Sequence, residues 1–423
     1  MDRIRIRGGR DLSGSVRISG SKNSSLPILA ATLLVDGPVL LRNVPELKDV
    51  EGMCRILRHL GMRYYRQDDG ALFMEMEDVG QTNAPYDLVR TMRASFVCLG
   101  PLWARRGQAR VSYPGGCVLG HRPVDLHIKG LRAIGAQIVI EDGYVHAGGP
   151  VLGGTVYLAG SQGPTVLGTA NVVMAAVLGK GTTVIEGAAM EPEIEDLCNF
   201  LNACGGRIRG IGGHCLVIEG VDRLTGCEYS IIPDRIEAAT YLVGALLTNS
   251  HVSVEDVRPQ HMLAVIDALR EAGAELNVEC DRIVNVPTPD GRIRAVSITT
   301  HPYPGFPTDI QAQFMTLMTR ADGTSVITER VYPERFMHAS ELTRLGASIR
   351  REGPSAIVTG THHLSGAPVM ASDLRASASL VLAGLVADGH TDVRRVYHID
   401  RGYERIEAKL QRLGADIERI SEG

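Results

Sequence analysis

The feature that most limits how this chain can fold is a repeat. A helical stretch that ends at a glycine and runs into a strand occurs six times. The copies end at Leu60–Gly61, Ile134–Gly135, Cys204–Gly205, Ala272–Gly273, Leu345–Gly346 and Leu413–Gly414, with successive glycines 68 to 74 residues apart. Glycine just past the last helical turn takes a left-handed backbone without steric cost, so it marks where each helix stops. A second series interleaves with the first. Short helices of small apolar residues stop near Gly37, Gly107, Gly181, Asn249, Gly323 and Gly389, followed by runs such as GTTVIEG and GTSVITE. Each unit of about 70 residues therefore reads helix, strand, helix, strand, with one further strand.

The ends of the chain complete the pattern. After Gly414 only ADIERI remains, while RIRIRG and GSVRISG precede the first helix. The simplest closure lets residues 1 to about 21 supply the strands that the sixth unit lacks. Two domains of three units then follow: 22–232, and 1–21 together with 233–423. The chain crosses between them near residue 21 and at SIIPDR. A length of 423 residues exceeds what one hydrophobic core holds, which fits two domains.

Composition excludes several functions. The formal charge is −4, so no global field favours nucleic acid, and an anionic ligand must meet a local basic pocket. The eight cysteines form no CxxC pair and His362–His363 has no cysteine nearby, so no metal site is expected. The opening MDRIRIRGG lacks an apolar run, and no apolar stretch reaches membrane-spanning length. The expectation is a reduced, cytoplasmic protein with no membrane partner.

Unusual polar residues fall at matching places in the units. Lys22 and Asn23 open the first small-residue helix. Arg93 in TMRASF, Asp309 in GFPTDIQ and Arg375 in SDLRAS, beside Asp373, occupy the equivalent helix starts. Asp49, Arg122, Arg335 and Arg401 precede or begin the second helices. Helix N-termini offer free N–H groups and a positive dipole, which suit anions. Asn23 and Asp309 are equally compatible with plain N-caps, and Arg375 with a surface pair to Asp373. The repeat itself does not require these residues, because they differ from unit to unit. Cys117 lies in PGGCVLGHRPVD, a glycine-flanked loop upstream of Arg122. A guanidinium nearby would favour its thiolate, although the same residues would also make an ordinary turn.

The runs ISGSKNSSLPILAATLL, TMRASFVCLGPLWAR, PGGCVLGHRPVDLH, GFPTDIQAQF, ERFMHASEL, DLRASASLVLAGL and HIDRGYERIE span nearly the whole chain. On these the sequence resembles the enolpyruvyl transferases. The resemblance implies an α/β fold of two inverse α/β barrel-like domains, each of three units, with a ligand cleft between them. It also implies an enzyme that moves the enolpyruvyl group of phosphoenolpyruvate onto the 3-hydroxyl of UDP-N-acetylglucosamine, releasing phosphate. That is the first committed step of peptidoglycan precursor synthesis. Lys22, Asn23, Arg122 and Arg401 would hold phosphoenolpyruvate. Arg93, Arg122, Pro123, Val124, Asp125, Leu126, Ser161, Gln162 and Val331 would contact the nucleotide-sugar. Cys117 would protonate C3 and form a covalent thioether adduct at C2 of phosphoenolpyruvate, and its free thiol would be what makes such enzymes fosfomycin targets. Asp309 would be the base, Asp373 and Arg375 would support proton transfer and the closed cleft, Arg335 and Arg375 would contact substrate, and Lys22 and Arg401 would also serve catalysis. No metal or organic cofactor is implied, because phosphate leaves readily once C3 is protonated.

The chain departs from that family pattern at three places. His121 stands where alanine is usual, Ser24 and Ser25 replace two alanines, and Ser161–Gln162–Gly163–Pro164 replaces Ser–Val–Gly–Ala. Two other functions compete. One is a sister transferase using another uridine nucleotide or shikimate 3-phosphate; the cysteine loop argues against the shikimate acceptor. The other is a non-catalytic repeat ring on nucleic acid, which would need a basic inner stripe.

Overall fold

Six four-stranded sheets, one per repeat, form the framework of the computed structural model. The structure describes residues 2–90, 92–113 and 124–421, with Arg93 described by its backbone alone. All six glycines that end the first helix series have positive φ, between 94° and 111°. The second series does the same: Gly37, Gly107, Gly181, Gly323 and Gly389 are left-handed, and so is Asn249 at φ 46°. Asparagine replaces glycine there because its short side chain tolerates this backbone. The punctuation in the sequence is thus a backbone requirement.

Every sheet has the same plan. Three strands run antiparallel, drawn from one unit in five of the six sheets, and a fourth joins the outer strand in parallel. In the first unit Val39–Arg42 pairs antiparallel with Leu72–Met76, which pairs with Met62–Arg66. The parallel neighbour of Val39–Arg42 is Glu228–Ser230, from the end of the third unit. Asn83–Ala84 is handed forward to Gln108–Ser112, and Leu152–Tyr157 to Lys180–Glu186. Three units thereby close on themselves.

The later units close the same way, with one correction to the expected pairing. Arg3–Arg7 completes the sixth sheet, lying antiparallel between His390–Arg394 and Asp416–Ile420. Ser13–Arg17 does not join it. That strand runs parallel to His251–Glu255 of the fourth unit. The cause is the strand-passing rule above: each unit needs a parallel edge strand, and nothing else precedes the fourth unit to supply one.

The chain divides into two compact halves, Gly20 to Ile232 and the residues on either side of that span. Each has its own hydrophobic core. In each, three helices of small residues form the inner layer. They are Lys22–Ala31, Leu99–Arg106 and Val166–Ala176 in one half. In the other they are Arg235–Leu247, Gln311–Met318 and Leu374–Val386. These helices are buried nearly all round, as expected where they pack on one another as well as on the sheets. Small side chains let the backbones approach. A Cβ at Gly100 would stand 2.2 Å from the Asn171 carbonyl oxygen. The second helix of each unit is amphipathic and keeps an exposed face, as in Lys48–His59 and Met337–Arg344. No described helix is long and apolar enough to cross a membrane.

Candidate active site

How the inner helices begin determines where functional groups can stand. Four of the six are closed by a side-chain cap: Ser21, Thr165, Asp234 and Asp373 accept from backbone N–H groups of the first turn. The other two lack one. Leu99–Arg106 and Gln311–Met318 are each entered through a 3₁₀ turn, Arg93–Cys98 and Thr308–Ile310. Arg93 and Asp309 belong to those turns. Neither Asn23 nor Asp309 is a cap, which corrects the plainer reading of both.

In the half that contains it, the Asp309 carboxylate is held from two sides. Arg335 Nη1 donates to Oδ1 at 2.8 Å, and Arg375 Nη2 to Oδ2 at 3.3 Å. Both guanidiniums are buried, while the carboxylate is a quarter exposed. Arg375 lies over the ring of Tyr403, 5.3 Å from its centroid. It makes no surface pair with Asp373. Asp373 spends an oxygen on the backbone N–H groups of Arg375 and Ala376, at 2.8 and 3.1 Å. Burial alone would push both arginines down, but the acids around Arg335 and the Tyr403 and Asp309 groups around Arg375 more than offset it, leaving both raised.

Two histidines border this cluster. His338 is fully buried, and neither ring nitrogen finds a hydrogen-bond partner among the described residues. Burial, assisted by Arg335 and opposed by Asp373, pushes it down to about 4. His398 is lowered for a related reason, burial followed by the nearby Arg401. Arg401 is half-buried at the end of the turn Val396–Arg401, ahead of the last helix.

One organising residue has no counterpart in the sequence reading. Glu329 is fully buried at the end of the strand Thr324–Thr328. It accepts from Thr300 and Thr308 hydroxyls at 2.6 and 2.8 Å, and from the Val331 and Tyr332 backbone N–H groups at 2.9 Å. It therefore fixes the loop carrying Val331 and the turn carrying Asp309. Three of these donors meet Oε1 and one meets Oε2, and such donors offset the cost of burying the carboxylate. No local pattern distinguishes it from a solvated strand-end glutamate.

The other half has a second cluster. Lys22 Nζ lies 3.4 Å from Asp49 Oδ2, and both side chains are largely buried. Asn23 follows Lys22 in the first helical turn. Ser24 and Ser25 are specific contacts: the Ser24 hydroxyl donates to Asp196, and the Ser25 hydroxyl to the Ser21 carbonyl at 2.8 Å. Asp196 also accepts from Tyr229 at 2.6 Å and from the Ile232 backbone at 3.3 Å. This pins the start of the first helix to the third unit.

In the same half Asn171 links the elements on which further candidates stand. Its amide donates to the Phe96 carbonyl at 3.1 Å, meets His127 Nδ1 at 3.0 Å and accepts from Gly100 N–H at 2.7 Å. The turn that begins at Arg93 and the helix Asp125–Ala133 are thereby tied together. Val124 is buried at that helix start, Asp125 is exposed and Leu126 half-buried. Ser161 and Gln162 form the exposed tip of a hairpin, Ala159–Gly160 against Gly163–Pro164. A Cβ at Gly160 would stand 3.3 Å from Leu126 Cδ1, so the hairpin lies against the helix start. Cys117, His121, Arg122 and Pro123 lie outside the described residues.

The comparisons with known proteins cover the whole fold. The family model for EPSP synthase (3-phosphoshikimate 1-carboxyvinyltransferase) matches residues 6–410. A UDP-N-acetylglucosamine 1-carboxyvinyltransferase of Methylacidiphilum infernorum is 54% identical over 421 residues, covering 99% of both chains. Proteins of the same name from Myxococcus xanthus and Coxiella burnetii are 54% and 52% identical, across 99% and 100% of this chain and 99% and 96% of their own. Among solved structures, the enolpyruvyl transferase NikO from Streptomyces tendae superposes with a TM-score of 0.90 at 26% identity, covering 100% of this chain and 99% of its own. An EPSP synthase from Acinetobacter baumannii shares the fold at a TM-score of 0.75 and 18% identity, each chain covered in full.

Proposed function

The chain belongs to the EPSP synthase family of enolpyruvyl transferases, and from that premise we propose that it transfers the enolpyruvyl group of phosphoenolpyruvate to the 3-hydroxyl of UDP-N-acetylglucosamine. Phosphate is released. The observation that carries this reading is the setting of Asp309: a partly exposed carboxylate oriented by Arg335 and Arg375. A proton acceptor for a sugar hydroxyl needs that combination of access and fixed direction.

The steps follow from the residue types. Cys117 supplies a proton to C3 of phosphoenolpyruvate, which leaves oxocarbenium character at C2. The sugar oxygen attacks C2 while Asp309 takes its proton. The C2–O bond to phosphate then breaks, and a proton leaves C3 to restore the double bond. Lys22, Arg122 and Arg401, with Asn23, hold the phosphate and carboxylate of phosphoenolpyruvate. Arg93, Arg122 to Leu126, Ser161, Gln162 and Val331 contact the nucleotide-sugar; the hairpin packed on Leu126 supports the Ser161 and Gln162 assignments. Asp373 keeps Arg375 in place as its helix cap. Residues 22–232, and 1–21 with 233–423, are the two domains in this reading. The reaction opens peptidoglycan precursor synthesis in the cytoplasm.

Phosphate release from phosphoenolpyruvate should be measured with UDP-N-acetylglucosamine, with UMP and with shikimate 3-phosphate. Release with the first compound is expected; release only with another would assign a sister activity. The thiol is tested by labelling with fosfomycin, an epoxide phosphonate. Cys117→Ala should abolish the label and lower turnover by a factor of about 100 or more near neutral pH. A label found on a different cysteine would defeat the assignment.

A further inference from the structure

We propose that Cys204 and Cys227 form a modification site of their own, a dithiol that small-molecule disulfides oxidise to an intramolecular disulfide. The two residues are 23 positions apart, yet their sulfurs lie 3.2 Å apart and share a hydrogen bond. Among the described residues no other two thiols do so. Cys204 is buried at the C-terminal end of the helix Pro192–Ala203. Cys227 is half-buried in the stretch between the strands Leu224–Thr225 and Glu228–Ser230.

Backbone hydrogen bonds already hold both segments in place. Thr225 N–H donates to the Cys204 carbonyl at 2.8 Å, Gly226 N–H to Asp36 at 2.9 Å, and Leu40 N–H to the Cys227 carbonyl at 2.9 Å. Closing the sulfurs to a bond of about 2 Å then requires side-chain rotation with little backbone movement.

The asymmetry of the pair sets the order of events. The hydrogen bond shared with Cys204 lowers the Cys227 thiol against the opposing effect of burial, while the same bond and burial raise Cys204. Cys227, also the more accessible, is the attacking thiolate. It displaces one half of the small disulfide as a thiol, leaving a mixed disulfide. Cys204 then gives up its proton and attacks the Cys227 sulfur, releasing the second small thiol. One S–S bond forms in the protein, one breaks in the oxidant, and two protons pass to the released thiols. The cross-link closes a loop around Arg207–Arg209 and Cys215–Glu219, two strands of the third sheet.

The test uses the full chain with glutathione disulfide, followed by acid quenching, alkylation of remaining thiols and peptide mass mapping. Exposed Cys280 reports that the oxidant acted. The expected product is a Cys204–Cys227 linked peptide, two hydrogens lighter than its reduced parts and restored by dithiothreitol. Oxidation should raise Tm by several degrees in the parent protein and leave Cys204→Ser unchanged, with no linked peptide. Full alkylation of both cysteines in protein whose Cys280 carries glutathione would overturn the proposal. So would linkage of either one only to a different cysteine.

Discussion

The start of the helix Lys22–Ala31 and the turn Thr308–Ile310 occupy equivalent places in two repeats, and they carry opposite charges in opposite roles. In the first, Lys22 is offered and Asp49 holds it; the acid is 5% exposed and the lysine 13%. In the second, Asp309 is offered at 25% exposure, and Arg335 and Arg375 hold it at 6% and 1%. In each case the more buried partner orients the more accessible one. A presented lysine suits an anion; a presented carboxylate suits a proton or a hydroxyl. One scaffold thus yields two chemistries by exchanging which member of an ion pair is buried. The buried member bears the desolvation cost, so it must keep its partner.

The largest effect is expected for Asp309→Asn. Turnover should fall by about 10²–10⁴, while calorimetric binding of the nucleotide-sugar changes little. Equal loss of binding and turnover would make the turn merely structural. The variant also removes the carboxylate that pairs with two buried guanidiniums, so a stability loss of about 3 kcal/mol is expected in urea.

On the opposite side of the comparison, Asp49→Asn should act through Lys22. The expected result is a rise in KM for phosphoenolpyruvate of roughly tenfold with kcat nearly kept, since an anion contact is loosened and no proton transfer is lost. A fall in kcat with unchanged KM would contradict the division of roles.

The effect furthest from turnover concerns His338 and reads stability alone. Its folded value, about 4, lies below the usual value near 6.5, so the fold favours the neutral ring. Its contribution is present above about pH 6.5 and is lost as pH falls through about 4. In His338→Gln, unfolding free energy should decline less on acidification across that window, by at most on the order of 3 kcal/mol. Identical acid profiles for parent and variant would show that the ring does not titrate with folding.

The repeat and its helix ends were legible because each signal is local. A glycine or asparagine must take positive φ wherever a helix turns into a strand, and that need is written beside the helix. The positions of Lys22, Arg93, Asp309 and Arg375 at helix starts were legible for the same reason. Glu329, Asn171, Asp196 and His338 were not. Each looks like an ordinary polar residue, and its role depends on partners from other elements. The partner of the second N-terminal strand is not legible either, because edge pairing is decided by which unit lacks a neighbour.

By itself the sequence determined six units, where their helices stop and which side chains stand at the helix starts. These depend on backbone angles and on periodicity within a few residues. Tertiary structure alone decided that Asp309 meets Arg335 and Arg375, 26 and 66 positions away, and that Cys204 meets Cys227. Coulombic attraction and hydrogen bonding act over ångströms in space, and only packing brings distant positions that close.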